Sequence, residues 1–312
     1  MDKQNLTSRS KKLVVFDGNA IMHRAFHAIP PLTTKNGEPI NAIYGLVSML
    51  INVIDTLKPT HVIVCFDEKA KTFRQKLLPT YQSQRPQTAN ELSSQFGKAR
   101  DFLKASKIPV YSVPGFEADD VIGTLSSKAT EKSDFDEVIV VTGDRDMLQL
   151  VDDIKHIMLY MPIGGLSNGK IFGEKETIER LGVAPNKIID YKALVGDASD
   201  NYFGVVGIGP KTAINLLSEF KKFDEIYNNL DKIPAKLKEK LEKGKESAKL
   251  SYKLATIVKD VPLRLNFEDS SKWDLAADDV LELFSKFGFR TLSDRIKKLG
   301  EKIKSEKQGS LF

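Results

Sequence analysis

Nine acidic residues fall in a pattern that suits cation chemistry. Asp17 closes the apolar run Leu13-Val-Val-Phe16, and Asp67 closes Val62-Ile-Val-Cys-Phe66. Asp144 follows Val138-Ile-Val-Val141 after Thr142 and Gly143, and Asp146 comes two residues later. Glu117, Asp119 and Asp120 crowd into Gly115-Phe-Glu-Ala-Asp-Asp120, and Asp197 and Asp200 into Gly196-Asp-Ala-Ser-Asp-Asn201. Singly, each has an ordinary explanation, because aspartate forms turns and acids favour the start of a helix. Three strand ends and two dense clusters together do not reduce to that. If the nine converge, their repulsion demands cations, and an all-carboxylate set suits Mg²⁺ or Mn²⁺. Two such ions about 4 Å apart are a device for hydrolysing phosphodiesters by in-line displacement.

The elements that must position these acids are legible in the apolar pattern. The three β-branched runs fit buried strands of a parallel sheet, with Val110–Val113 and Ile157–Tyr160 as further strands. Ile43, Leu46, Val47, Leu50, Ile51, Ile54 and Leu57 share one face of a helix. A second helix over 117–130 turns Ala118, Val121, Ile122 and Leu125 inward. Strand–helix alternation predicts an α/β layer fold. Ligands of such sheets gather beyond the carboxyl ends of the strands, the rim to which Asp17, Asp67 and Asp144 are delivered. After about residue 174 the pattern is helical: 174–182, 186–195, 210–220 and further segments to 304. The expected division is a polar tail 1–12, an α/β domain 13–185, a helical domain 186–300 and a C-terminal tail 301–312.

Two further segments suit nucleic acid. Gly204-Val-Val-Gly207-Ile-Gly209-Pro-Lys211-Thr212-Ala lies between helical patterns. Its glycines allow close backbone approach, and the free amides of the following helix can hold a phosphate beside Lys211 and Thr212. That is a helix–hairpin–helix gripping duplex backbone without reading sequence; the plain alternative is a glycine turn. Residues 232–259 hold nine lysines against three glutamates, an extension of the phosphate track or a solvated helix face. Within 69–100, Lys69, Lys71, Arg74, Lys76, Arg85, Lys98 and Arg100 interleave with Phe73, Tyr81 and Phe96. Basic and aromatic residues beside an acidic rim fit an arch around a single strand, with an ordinary surface loop as the alternative.

Composition narrows the class. The chain has 312 residues, 41% hydrophobic and 29% charged, which excludes disordered and collagen-like chains. A net charge of +5 is too mild to identify a partner. One cysteine, Cys65, excludes an internal disulfide, and with four histidines it argues against a zinc cage. No apolar run reaches the roughly 20 residues of a membrane span, and no signal peptide opens the chain, so the expected setting is cytoplasmic. Cys65 and Trp273 read as core. His23 and His27 lack a metalloprotease glutamate and read as helix residues near the site.

The motifs FDGNAIMHRAFHA (16–28), CFDEKAKTFR (65–74), GFEADD (115–120), TGDRDMLQL (142–150), GDASDN (196–201) and GVVGIGPKTA (204–213) closely resemble the bacterial 5′ nucleases, the free-standing 5′→3′ exonucleases and the N-terminal domain of DNA polymerase I. The resemblance covers nearly everything after residue 12. It implies a mostly parallel sheet flanked by helices, a 5′ nuclease or PIN-like core, with a helical arch and a C-terminal helix–3-turn–helix DNA-binding region. Carried over by motif, all nine acids hold two divalent cations. The resemblance further implies Arg74, Tyr81 and Arg85 as catalytic residues, and Lys71, Arg74, Arg85, Gly204, Gly207, Gly209, Lys211 and Thr212 as DNA-binding ones. The implied substrates are 5′ flaps, nicks and 5′ ends, including RNA primers, in replication and repair. Two departures stand out. Tyr81-Gln82-Ser-Gln-Arg85 lacks the lysine the family carries after the tyrosine, and Tyr202-Phe203 stands where Leu-Pro or Ile-Pro is usual. The missing ammonium keeps a catalytically weakened DNA-structure-binding module as a second reading, and an RNA-directed nuclease on a related fold as a third. Gln308-Gly-Ser-Leu311-Phe312 resembles the peptide by which bacterial replication enzymes dock on the sliding clamp.

Overall fold

The computed structural model describes residues 10–131, 134–165 and 168–309, with side chains as far as 305. Six strands form one sheet in the order β3-β2-β1-β4-β5-β6: β1 Lys12–Asp17, β2 His61–Cys65, β3 Val110–Tyr111, β4 Glu137–Val141, β5 Ile157–Pro162 and β6 Gly169–Phe172. The first five are parallel and β6 is antiparallel to β5. Chain order reverses at β1, which pairs with β2 on one side and β4 on the other. The crevice beyond β1 and β4 is therefore the switch point where open α/β sheets bind ligands.

The pleat divides the core into two clusters. Leu13 and Val15 of β1 and Ile63 and Cys65 of β2 face helix α6 (Ala118–Glu131) and, beyond it, the helices of residues 188–255. Val14, Phe16, Val62 and Val64 face the other way, onto α1 (Gly18–Ala28), α2 (Asn41–Leu57) and α5 (Gln95–Ala105). Apolar on both faces, these strands need the continuous β-branched runs that the sequence shows. Between β2 and α5 lie α3 (Phe73–Leu77), a run of turns and α4 (Asn90–Ser93).

The mostly helical part beyond the sheet contains α7 (Glu174–Leu181), α8 (Ile188–Val195), the two-residue strands β7 (Gly196–Asp197) and β8 (Tyr202–Phe203), α9 (Pro210–Phe220), α10 (Phe223–Asn228) and α11 (Ala235–Ala255). The last two helices, α12 (Asp278–Phe287) and α13 (Arg290–Gly309), do something else. Val280, Phe284, Leu292 and Ile296 join the core cluster of α2 and α5, and Phe284 stacks on Phe102 at 5.8 Å. The helical domain expected to reach residue 300 thus hands its last 30 residues back to the sheet. Residues 301–309, expected as a tail, continue α13. The rest of that tail, and residues 1–9, lie outside the described residues. Trp273 packs against the same cluster and donates its indole N–H to the Thr60 carbonyl, and Cys65 is fully buried. Among the described residues, no helix is long and apolar enough to cross a membrane.

Candidate metal centre and nucleic-acid interface

Asp17 ends β1 and caps α1. Its two oxygens accept from the Ala20 amide at 2.9 Å and the Thr142 hydroxyl at 2.7 Å. Thr142, just after β4, also accepts from the Asp144 amide, so one hydroxyl ties the two neighbouring strand ends together. Asp67, past β2, accepts from the Ala118 amide at 2.7 Å and so sits at the positive start of α6. Asp144 accepts from the Asp146 amide. These contacts bring Asp17, Asp67, Asp119 and Asp144 into one field. Burial raises the Asp17 carboxyl to about 7 against its two hydrogen bonds, and the charges of Asp144 and Asp67 add to the rise. Burial first, then Asp144 and Asp17, push Asp119 well up, and burial likewise raises Asp67.

A second group forms where the short 3₁₀ helix Asp146–Leu150 meets the β7–β8 loop. Asp146, Asp197 and Asp200 present carboxylate oxygens within 4.8 Å of one another. Lys192, in the last turn of α8, pairs with both Asp146 and Asp197. Burial raises Asp146 to about 6, although Lys192 opposes it. At Asp197 burial also opposes ionisation, but Lys192 and the Ser199 hydroxyl and amide outweigh it and hold the carboxyl below its usual range. Asp200 accepts from Arg85 at 2.5 Å and from the Tyr81 hydroxyl at 3.1 Å.

The cleft between the groups encloses about 760 Å³ and is lined by seven of the nine expected acids. Asp197 stands behind Lys192, outside that lining. Asp120 lies beneath the floor, fully buried, its oxygens taken by Arg74, the Glu117 amide and the Val258 amide. It is a structural anion of this fold rather than a ligand facing the cleft. Arg74 is corrected with it. Only 2% exposed, it donates all five N–H groups, to Asp120, Glu117, Leu254 O and Thr256 O. No donor is left for DNA, so Arg74 positions Glu117 and the floor. Glu117, raised by burial to about 7 against Arg74, does line the cleft.

Tyr81 is likewise buried, stacked on Tyr202 with ring centroids 6.3 Å apart, whereas Arg85 stays half exposed at the cleft. The arch segment is pinned at its base: the Gln82 amide donates to the Asp200 carbonyl, and Asn201 donates to Thr80 O. Its far end is core. Gln95 is fully buried and accepts from the Ala42 and Ile43 amides, Phe96 packs on Phe66, Arg100 covers Phe66 and Lys98 pairs with Glu38. Lys71 is exposed just ahead of α3, and His23 and His27 of α1 line the cleft. Lys192 is the site residue that the sequence reading missed. Its only signal is a lysine one turn before Asp197 in an otherwise apolar helix end.

In the hairpin, Gly207 has φ +80° and Gly209 precedes α9 with open space around it, while Lys211 is exposed. Gly204 is different. A Cβ there would meet the Leu194 carbonyl at 2.3 Å, so it serves close packing of α8 against the hairpin and does not face DNA. Helix α11 braces the turn through Lys240, which donates to Gly207 O, and through Ser247 and Ser251, which donate to Phe203 O. Gln308 has no described side chain, and Leu311 and Phe312 lie outside the described residues.

The sheet order, the carboxylate cleft at its switch point and the glycine hairpin beside it define a 5′ nuclease fold. The family model described as "5′-3′ exonuclease, N-terminal resolvase-like domain" matches residues 12–182, and "5′-3′ exonuclease, C-terminal SAM fold" matches 183–278. The chain belongs to the 5′-3′ exonuclease family. It is 36% identical to the 5′-3′ exonuclease of Aquifex aeolicus over 97% of this chain and 100% of that one. It is 40% identical to DNA polymerase I of Caldicellulosiruptor bescii over 93% of this chain and 33% of that one. The chain spans about a third of the length of the polymerase relatives it matches. In fold it is similar to the 5′-exonuclease of phage T5 solved with divalent metal ions (zinc), with TM-score 0.63 and 22% identity over 93% of this chain and 99% of that one. It is also similar to flap endonuclease-1 from Methanococcus jannaschii, with TM-score 0.57 and 18% identity over 96% and 94%.

Proposed function

We propose that this chain hydrolyses phosphodiester bonds at 5′ ends, nicks and 5′ flaps of duplex DNA, RNA primers included, with two divalent cations, Mg²⁺ by preference and Mn²⁺ as substitute. One observation carries the reading: carboxylates from five separate chain segments meet in one cleft at the switch point of the sheet. The donor set fits hard divalent ions, since the ligand oxygens are carboxylate and several of these acids are driven up by burial and by one another. Asp17, Asp67, Glu117, Asp119 and Asp144 would hold one ion, and Asp146, Asp197 and Asp200 the other. Bound there, the ions would make a bound water more acidic and so a better nucleophile, and would supply charge for the leaving oxygen.

The chain's own residues do the rest. Thr142 fixes Asp17 and Asp144 in register, Arg74 orients Glu117, and Tyr81 and Arg85 orient Asp200. Arg85, half exposed at the cleft, would meet the phosphate of an entering strand. The Gly207–Thr212 hairpin and the start of α9 would hold duplex phosphates without base readout. The Gln308–Phe312 peptide supports docking on the bacterial sliding clamp, which would raise local concentration at replication junctions.

Cleavage of a 5′-labelled flap tests the reading. Product is expected with Mg²⁺ and none with EDTA. Asp144→Asn should bind the flap within a few-fold of wild type and cleave it over a hundredfold more slowly, because even groups behind metal ligands are worth 10–100-fold. Cleavage in EDTA, or a fully active Asp144→Asn, would overturn it.

A further inference from the structure

Tyr202 has a place in the site that neither the metal ligands nor the hairpin explains. It is 2% exposed, and its hydroxyl is one of two buried side-chain polar atoms without a hydrogen-bond partner among the described residues. In the β7–β8 pair it stands directly opposite Asp197, so both side chains lie on one face of the ladder. It lines the cleft with Asp146 and Asp200, and its ring is fixed by the stack on Tyr81.

The nearby oxygens are already engaged. Asp200 accepts from Arg85 and Tyr81, and Asp197 accepts from Lys192 and Ser199. A buried phenol with no acceptor is costly, so the missing partner is expected in whatever occupies the space between the acids.

We propose that the Tyr202 hydroxyl donates a hydrogen bond to a water molecule in the shell of a divalent cation held by Asp146, Asp197 and Asp200. Tyr202 is then a positioning residue of this subsite, holding that water's orientation as outer-shell groups do in other metal sites. This rests on the reading of the cleft as a metal centre, and the experiment separates the two.

Mn²⁺ is titrated into the full-length, metal-free protein without DNA, and the free ion is read by electron paramagnetic resonance. Tyr202→Phe keeps the ring stack and deletes only the donor. The weaker-binding ion or the tighter one, whichever belongs to this subsite, should lose about tenfold in affinity while the other is unchanged. The metal-free variant should melt no lower than wild type, because an unpaired polar atom has been removed. Equal Mn²⁺ affinity in wild type and Tyr202→Phe, or a lower metal-free melting temperature in the variant, overturns the inference while leaving the metal centre standing. A wild type that takes up no Mn²⁺ overturns both.

Discussion

Arg74 holds Asp120 through two hydrogen bonds, of 2.7 and 2.9 Å, directly beneath the acid cleft. The pair joins the arch segment to α6, and through the Leu254 and Thr256 carbonyls it also joins the end of α11. Removing the cation leaves Asp120 buried and uncompensated. Arg74→Met should therefore cost about 3–5 kcal/mol of stability in a denaturant titration. Arg74→Lys keeps the charge but cannot fork, so it should fall between. A wild-type midpoint for Arg74→Met would show that the pair contributes nothing.

Stability of the metal-free protein should fall as pH rises. Asp17 and Glu117 stand at about 7 and Asp146 at about 6, all above their unfolded values near 4. Between those limits the folded state binds more protons than the unfolded, so stability declines with pH until the raised values are passed. Lys192, raised from an already high value, and Asp197, held below its usual range, keep their charges across this window and leave the slope to the three raised acids. The metal-free melting temperature should be higher at pH 5.5 than at pH 8, and Mg²⁺ should narrow the gap by stabilising the ionised acids at pH 8. Melting curves with and without the metal check both signs.

The glycines of the hairpin should separate by role. Gly204→Ala places a methyl against the Leu194 carbonyl and should lose about 1–3 kcal/mol with little direct effect on DNA. Gly209→Ala meets no neighbour and should fold normally. At Gly207, with φ +80°, any side chain is strained and would press on Lys240. A folded Gly207→Ala should weaken duplex binding equally across sequences. Sequence-dependent losses in a binding assay would contradict phosphate contact.

Gln82 occupies the cleft where a lysine is usual in the resembling family, and its backbone has φ +56°. Gln82→Lys should raise single-turnover cleavage several-fold by adding charge near the scissile phosphate. A flat or lower rate would mean that Arg85 already serves that purpose.

The strand ends were legible because a buried parallel strand must be apolar throughout, which makes the first acid after it conspicuous: Asp17, Asp67 and Asp144 stood out for that reason. Helix α9 was legible from Pro210 and its glycine lead. Less could be read where long-range partners decide. Nothing local distinguishes Asp120, which faces Arg74, from Asp119, which faces the cleft; one residue of helical rotation separates them. The same holds for Gly204 and Gly209. The return of α12 and α13 to the layer of α2 and α5 is carried by Phe284 stacking on Phe102 and by Arg295 donating to Ser48 and Asn52, pairings that no local pattern announces.

The loop from Asp197 to Phe203 has neighbours on three sides. Asp197 and Asp200 share one carboxylate group with Asp146, Asn201 and the Asp200 carbonyl hold the turn at 80–83, and the Phe203 carbonyl is gripped by Ser247 and Ser251 of α11. Seven residues thus act as a mechanical linkage. A duplex pressing on the hairpin, or a strand displacing the turn at 80–83, would strain the same short span that presents two of the aspartates. Such a junction ties the alignment of Asp197 and Asp200 to both of its neighbours, so that neither the hairpin nor the turn at 80–83 can shift alone without pulling on the span that carries them.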